Sequence, residues 1–144
     1  MNDLKILIGK QYLKDALLLR EEVFIIGQNV PREIERDFYD YDETSTHFVA
    51  YINDEPIGCG RIVKQVDGKV YLTRIAVISS FRGRGIGKIL VKKMLIFLKE
   101  LNIKVCYIHA QSYIKKFYED LGFIAFGDEF EEAGIMHTHM KYIL

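Results

Sequence analysis

Residues 78–90 read ISSFRGRGIGKIL and join a β-rich segment to a helical one through three glycines. Gly83, Gly85 and Gly87 let the backbone turn with no Cβ in the way, so consecutive amide groups can point to one side. A helix that starts directly after such a turn adds unsatisfied N–H donors and the positive end of its dipole. The segment therefore predicts a strand, an anion-binding turn and a helix.

Two common phosphate-binding loops do not fit this spacing. A P-loop requires GxxxxGK[ST], but Gly87 and Lys88 are followed by Ile89, so no hydroxyl is placed for Mg²⁺. The dinucleotide-binding fingerprint requires GxGxxG after a first strand, whereas this loop reads GRGIG in the middle of the chain. Both matches fail, and a glycine turn without any ligand remains an alternative.

Helical and β-rich patterns alternate along the chain, with no repeat, low-complexity block or linker. Apolar spacing predicts helices over residues 10–26 and 85–101, a short one from Pro31, and one over residues 112–122 with Ser112 as N-cap. Seven β-rich runs accompany them, at residues 4–9, 46–53, 56–65, 70–78, 103–110, 123–130 and 135–144. The order β-α-α-β-β-β-α-β-α-β-β predicts one domain over residues 1–144, an α/β mixed sheet flanked by helices.

The composition is typical of a globular protein, with 144 residues, 49% hydrophobic residues and zero formal net charge. Zero net charge argues against a general nucleic-acid binder, whose affinity depends on neutralising phosphates. The apolar start of the chain is too short and too charged for a signal peptide, and no run approaches the length of about 18 apolar residues that a membrane span needs. Cys59 and Cys106 lie singly in apolar runs, so we expect a cytoplasmic protein with two buried, reduced thiols.

Three segments at consistent spacing resemble the GNAT superfamily of N-acetyltransferases. Residues 82–87 fit that family's [RQ]-x-x-G-x-[GA] pyrophosphate loop, and LTRIAV resembles the strand before it. AQSYIKKFYEDLGF resembles the segment in which a helix carries a Phe-Tyr pair ahead of a Gly-Phe. The order of elements is similar along essentially the whole chain. The resemblance implies a mostly antiparallel central sheet whose fourth and fifth strands splay apart.

Within that superfamily the chain most resembles the ElaA/YjcF-type acetyltransferases. REEVFIIGQNVP is similar to their R-x-x-V-F-x-x-E-Q-x-V-P, and EEAGIMHTHM to their E-x-x-G-I-x-H-x-x-M. Gly27 departs from the pattern, which has glutamate before Gln28, so substrate handling can differ in this chain. His47 and His137 match histidines of the pattern, which implies a role in binding the acceptor or in ordering the core.

The resemblance implies acetyl-CoA as co-substrate. The backbone amides of the loop would hold its pyrophosphate, the free edge of the fourth strand would pair with the pantetheine arm, and Lys115 or Lys116 would reach the 3′-phosphate unless both are simply solvated. The residues implied in cofactor binding are Ile75, Ala76, Val77, Arg82, Gly83, Arg84, Gly85, Ile86, Gly87, Lys88, Gln111 and Lys115.

Acetyl transfer needs a neutral amine, a polarised thioester carbonyl and a proton for the departing thiolate. Tyr118 matches the family's tyrosine and would supply that proton, with packing between Phe117 and Phe123 as its alternative role. His109 is the candidate general base because imidazole titrates near neutral pH. Strand alternation leaves open which face of the sheet His109 occupies.

Two further patterns are weaker. His137 and His139 form a short pair of metal-ligand type, but no third ligand accompanies them at a suitable spacing, so we assign no metal. Six carboxylates follow the second helix, in a region that the resemblance puts at the acceptor wall: Glu33, Glu35, Asp37, Asp40, Asp42 and Glu43. Such acidity favours a cationic amine, and a solvated surface loop explains it equally well.

We therefore expect an N-acetyltransferase that moves acetyl directly from acetyl-CoA to a primary amine of a small acceptor. The alternatives are a non-catalytic acyl-CoA-binding or sensing module and a plain interaction domain. We expect no nucleic-acid or membrane partner. A homodimer is compatible with the resemblance, because many proteins of this fold pair through strands or helices.

Overall fold

The computed structural model describes residues 3–144, which form a seven-stranded sheet with helices on both faces. The strands are β1 (Leu4–Ile8), β2 (Thr46–Ile52), β3 (Glu55–Lys64), β4 (Val70–Val77), β5 (Val105–Gln111), β6 (Ile124–Glu132) and β7 (Ile135–Ile143). The α-helices are α1 (Leu13–Arg20), α2 (Arg32–Glu35), α3 (Ile86–Glu100) and α4 (Lys115–Leu121). The strand order is β1-β2-β3-β4-β5-β7-β6, and the predicted mixed α/β sheet is confirmed.

β4 and β5 are the parallel pair in an otherwise antiparallel sheet, and they are joined at one position. Tyr71, near the start of β4, lies opposite Tyr107 of β5. Beyond it, β4 continues to pair with β3 as far as Val77 but has no further partner in β5 within the described chain. The expected splay of the fourth and fifth strands is confirmed, and a cleft opens between their C-terminal ends.

α3 and α4 pack on one face of the sheet, and α1 packs on the other. α3 lies so close to β3 that a Cβ added at Gly60 would come within 2.6 Å of the Met94 sulfur atom. A Cβ at Gly58 would come within 3.0 Å of Leu90. Glycine at these strand positions therefore permits the helix to approach the sheet and fixes the start of α3 beside the end of β4.

The helix predicted over residues 10–26 is wrong in detail. It consists of a 3₁₀ turn (Lys10–Tyr12), α1, and a π-helical segment (Glu21–Ile26). That last segment contains Val23, Ile25 and Ile26, and β-branched side chains crowd a regular α-turn. Val23 lies in the core cluster with α1, Phe24 packs against that cluster, and both residues line the cleft. π-Helical turns of this kind are frequent at functional sites.

Two shorter helices also differ from expectation. The one from Pro31 is limited to the four residues of α2. Ser112 does not cap a helix: its hydroxyl hydrogen-bonds the Thr138 hydroxyl at 2.8 Å, and α4 begins only after a 3₁₀ turn (Ser112–Ile114). Gly122, with φ 107°, ends α4 as predicted.

None of the helices within residues 3–144 is long and apolar enough to cross a membrane.

Candidate functional site

A cavity of about 800 Å³ lies where β4 and β5 diverge. Its lining extends from the glycine loop before α3 to the hairpin of β6 and β7. Twelve of the fourteen residues predicted for the site line it: Ile75, Ala76, Val77, Arg82, Gly83, Gly85, Ile86, Gly87, Lys88, His109, Gln111 and Tyr118. Arg84 and Lys115 are not part of this lining.

The glycine loop has the backbone conformation that its sequence requires. Gly83 and Gly85 have φ angles of 78° and 79°, in the left-handed region that glycine favours. A Cβ at either position would meet no atom within 4 Å, so this side of the loop faces open space. No side chain caps the first turn of α3, and that turn contains no acidic residue. The N–H groups at the start of α3 are therefore available to an anion.

The basic side chains of the loop have different surroundings. The Arg82 guanidinium donates from Nε to the Val77 carbonyl oxygen at 2.9 Å and so ties the loop to the end of β4. The Arg84 guanidinium lies over the Phe81 ring, 4.8 Å from its centroid, and Arg84 is not part of the cavity lining. Lys88 lines the cavity.

The lysines of α4 lie outside the cavity lining. Lys115 is partly exposed, and Lys116 is exposed and forms a surface ion pair with Asp120 at 3.0 Å. The assignment of Lys115 to the 3′-phosphate stays a prediction.

β4 carries a bulge beside the cleft. Between Cys59 and Arg61 of β3, the partner on β4 changes from Ala76 to Thr73, so β4 has one extra residue. Arg74 lies in this bulge with φ 54°, which is uncommon for a residue other than glycine. Its guanidinium donates to the Glu35 carbonyl oxygen at 2.8 Å, which fixes the segment after α2 against β4.

Tyr118 of α4 is buried, with 6% of its surface exposed, yet it contributes to the cavity wall. Its ring packs edge-on against Phe117 and Phe123, with centroids 5.0 and 5.6 Å away. Burial raises the pKa of its hydroxyl well above the ordinary value, and the Tyr113 hydroxyl adds to the shift. The hydroxyl therefore remains a donor at every pH at which the protein would work. Tyr118 therefore packs between the two rings, as its alternative role predicted, and it also borders the cavity. Its role as proton donor stays a prediction.

His109 faces the cavity from β5, and its partner there is Glu132 at the end of β6. The His109 Nδ1 atom lies 3.3 Å from Glu132 Oε1. Rings of Tyr71, Phe130 and His139 surround the imidazole edge-on, with centroids between 5.0 and 5.2 Å away. The hydrogen bond from His109 lowers the pKa of Glu132, so this carboxylate is ionised at neutral pH.

His137 and His139 of β7 both stack on Phe130, at 5.8 and 4.2 Å between ring centroids. His137 Nδ1 donates to the Ile135 carbonyl oxygen at 2.7 Å, and its Nε2 lies 3.7 Å from Glu132 Oε2. Within residues 3–144 no group of three or more His, Cys, Asp or Glu side chains is arranged to hold a metal ion. These imidazoles therefore belong to an aromatic wall beside Glu132.

Gln111, assigned to cofactor binding from the sequence, pairs with Gln28 across the cleft. The two amides exchange hydrogen bonds at 2.9 and 3.2 Å, and Gln28 Nε2 also donates to the Tyr113 hydroxyl at 3.1 Å. This pairing links the chain after the π-helical segment to β5 over a separation of 83 residues. Gly27, the departure from the family pattern, directly precedes this bridge.

Three of the six carboxylates in the acidic cluster are neutralised by arginines. Arg20 is buried and bonds Glu35 at 2.7 Å and Asp40 at 2.6 Å. Arg61, also buried, bonds Asp37 and Asp40, each at 2.7 Å. Neither explanation offered for the cluster therefore holds for these three carboxylates, because they form an internal ion network rather than a solvated loop or a free negative wall.

His47 belongs to this network rather than to the cavity. It is 1% exposed, and its Nε2 lies 3.0 Å from the Asp40 carbonyl oxygen, to which it donates. Burial lowers the pKa of His47, so the ring stays neutral. Of its two expected roles, the structure is consistent with ordering the core.

Sequence reasoning missed Glu132 and Arg74 as parts of this site. The sequence does contain a signal for Glu132. A two-residue turn at Ala133 and Gly134 puts Glu132 opposite Ile135 and close to His137 on the neighbouring strand. Arg74 has no such signal, because its position depends on a bulge that the sequence of β4 does not predict.

A sheet whose parallel strand pair splays open beside a glycine loop and a helix N-terminus defines the architecture of acyl-CoA N-acyltransferases. The family model described as "Acetyltransferase (GNAT) domain" matches residues 9–144, and the chain belongs to this family of GNAT acetyltransferases.

Relatives support the same assignment at the level of sequence. The uncharacterised N-acetyltransferase YjcF of Bacillus subtilis is 36% identical over 133 residues, which are 92% of this chain and 93% of YjcF. Protein ElaA of Escherichia coli is 34% identical over 128 residues, 86% of this chain and 82% of ElaA. The resemblance stated from the motifs is thereby confirmed.

Solved structures agree. A putative N-acetyltransferase from Lactobacillus plantarum superposes with a TM-score of 0.91 at 25% identity, over 99% of each chain. E. coli ElaA superposes with a TM-score of 0.86 at 28% identity, over 96% of this chain and 99% of that one.

Proposed function

We propose that this chain transfers the acetyl group of acetyl-CoA directly to the primary amine of a small acceptor. One observation carries the proposal: loop donors, an unpaired strand edge, a buried tyrosine hydroxyl and a histidine line a single cavity. The family membership supports acyl transfer in general. Their common position in one cavity supports the roles proposed for these particular residues.

The loop and β4 fit the donor. Amides of residues 82–88 would bind the pyrophosphate, with Lys88 adding positive charge. The edge of residues 75–77, which lacks a β5 partner within the described chain, would exchange hydrogen bonds with the amides of the pantetheine arm. Acetyl-CoA supplies an activated acetyl group on a thiol leaving group, and this chain would hold it and exclude water from it.

His109 and Tyr118 would manage the protons. The ammonium form of the acceptor would lose a proton to His109, and the neutral amine would then attack the carbonyl carbon, while Glu132 would balance the charge of the resulting imidazolium. As the C–N bond forms and the C–S bond breaks, the Tyr118 hydroxyl would give a hydrogen bond or its proton to the departing sulfur. The nitrogen would lose its second proton as the amide forms, which would restore the Tyr118 hydroxyl, and His109 would return its proton to solvent. The two buried thiols agree with a reducing, cytoplasmic location, which we include in the proposal.

An acceptor screen tests this function. The protein is incubated with acetyl-CoA and a panel of primary amines, and released thiol is measured with a chromogenic disulfide. Cys59 and Cys106 do not interfere, because burial raises the pKa of both thiols to about 12. We expect thiol release that depends on the amine. CoA binding in calorimetry without turnover on any amine would instead support the sensing module.

A further inference from the structure

The carboxylates that line the cavity differ in whether an arginine or lysine already neutralises them. Glu35 is bonded by Arg20 at 2.7 Å and by Arg74 at 3.1 Å. Asp37 is bonded by Arg61 at 2.7 Å and by Arg74 at 3.2 Å. These carboxylates and guanidiniums cancel one another, so none of them is free to bind a charged acceptor.

Glu132 is different. Its ion-pair partners within residues 3–144 are imidazoles, with His109 at 3.3 Å and His137 at 3.7 Å. The charge of Arg74 also acts on Glu132, but without a direct ion pair. Its side chain is 49% exposed and lines the cavity, so a ligand can reach it. Among the described residues that line the cavity, it is the carboxylate without an arginine or lysine partner. It is therefore the group there that can accept hydrogen bonds from an ammonium ion.

Part of the lining of this cavity is apolar or aromatic. Tyr71 and Ile135 line the cavity from β4 and β7, and Phe24 and Ile34 line it from the segments on either side of Gln28 and Pro31. Such walls suit an apolar body and gain free energy by burying it. The guanidiniums of Arg61 and Arg74 already hold carboxylates. The other arginine and lysine of the described lining, Arg82 and Lys88, belong to the loop proposed to bind the pyrophosphate, so an acceptor carboxylate would have no uncommitted cation.

We propose that Glu132 anchors the ammonium group of the acceptor, and that the acceptor is a monoamine with an apolar or aromatic body. Polyamines would leave further ammonium groups without carboxylates, and free amino acids would bring a carboxylate toward Glu132 with no cation to receive it. The inference rests on the proposed function and narrows its substrate. It also puts the bound ammonium group next to His109, the proposed proton acceptor.

The first experiment compares three probes in the thiol-release assay: 2-phenylethylamine, L-phenylalanine, which adds a carboxylate to the same body, and spermidine. We expect kcat/KM for 2-phenylethylamine to exceed the other two by about tenfold or more, the range of a charge-assisted hydrogen bond. Faster acetylation of spermidine or L-phenylalanine would overturn the inference while leaving acetyl transfer intact.

The second experiment separates Glu132 from the chemistry. Calorimetry measures binding of 2-phenylethylamine to the protein saturated with CoA, in Glu132→Gln and in the matched control Glu131→Gln on the exposed neighbouring position. We expect Glu132→Gln to weaken binding about tenfold and Glu131→Gln to leave it within twofold. Equal binding in the two variants would overturn the inference. Binding that depends on Glu132 without any acetylated product would uphold the anchor and refute the proposed function.

Discussion

The guanidinium of Arg82 donates a hydrogen bond to the carbonyl oxygen of Val77 at 2.9 Å, so the glycine loop is bound to the strand that it follows. Val77 is the last residue of β4, and the strand edge beside it is where we propose that the pantetheine arm binds. The bond couples two parts of the donor site, the loop and the strand end, through one side chain.

Removing this bond tests the coupling. Arg82→Ala should raise KM for acetyl-CoA about fivefold, because the bond contributes about 1 kcal/mol to the placement of the loop. Lys92→Ala, on the exposed side of α3, removes a nearby positive charge without touching the loop and should leave KM unchanged. Equal effects of the two substitutions in steady-state kinetics would attribute the change to general charge and contradict the coupling.

Gly85 allows a separation of folding from binding. Gly85→Ala should lower the free energy of unfolding by about 1–2 kcal/mol, because alanine is strained at a φ of 79°. Gly68→Ala, in an exposed turn at φ 87°, should cost a similar amount. The loop substitution alone should also weaken CoA binding in calorimetry, since its new Cβ points into open space at the proposed pyrophosphate site. Unchanged CoA affinity in Gly85→Ala would remove the loop from the donor site.

Tyr118→Phe tests the proton donor. We expect kcat to fall about 100-fold, the lower range for general acid catalysis, with CoA affinity retained because the ring remains. Tyr142→Phe, a neighbouring aromatic that packs on Phe123 outside the cavity lining, should keep wild-type kcat. Since the pKa of Tyr118 is raised, wild-type activity should not decline on its account up to pH 10. Wild-type turnover by Tyr118→Phe would rule out this role.

The buried ion network should dominate the electrostatic part of stability. Arg20→Met leaves Glu35 and Asp40 without their main partner and should cost about 3–5 kcal/mol in urea unfolding. Arg32→Met breaks an exposed pair with Glu21 and should cost less than about 1 kcal/mol. A small loss in Arg20→Met would mean that the network is replaceable by apolar packing.

Asp40 gives this network a pH signature. Burial raises the pKa of Asp40, but the hydrogen bond and charge of Arg20 and the charge of Arg61 outweigh it and hold the pKa at about 2. The stabilisation is therefore complete above the ordinary value of 3.8 and is lost as the pH falls toward 2. It amounts to about 2 kcal/mol.

The pH dependence of unfolding measures it. The free energy of unfolding of Asp40→Asn should vary less with pH between 3.8 and 2 than that of the wild type. Glu43→Gln, exposed on the same segment, should retain the wild-type slope. Identical slopes in all three proteins would contradict a lowered pKa at Asp40.

Local patterns predicted much of the fold. Strand alternation, the glycine loop and the stop at Gly122 are set by residues close together in the chain, and each lies where the sequence predicts it. The bulge at Arg74 was not predictable, because a distant partner stabilises it: Arg74 needs the Glu35 carbonyl, which is 39 residues away. The π-helical turn was not predictable, because the apolar spacing of residues 21–26 also fits a regular helix.

The same distinction applies to the site. His109 and Tyr118 could be proposed from motif positions, but the partner of His109 depends on the register between strands β6, β7 and β5. From the sequence alone, the acidic cluster is typical of a charged surface. Only folding brings Arg20 and Arg61 onto it and neutralises it.

Transfer of a labelled acetyl group distinguishes direct acetyl transfer from hydrolysis and from an acetylated-protein intermediate. The protein is incubated with 2-phenylethylamine and with acetyl-CoA that carries ¹³C in its acetyl group. Mass spectrometry then measures the masses of the amine and of the intact protein. We expect the labelled acetyl group on the amine, in proportion to released CoA, and no label on the protein. Label retained on the protein, or release of CoA together with free labelled acetate and no acetylated amine, would contradict direct transfer in this cavity.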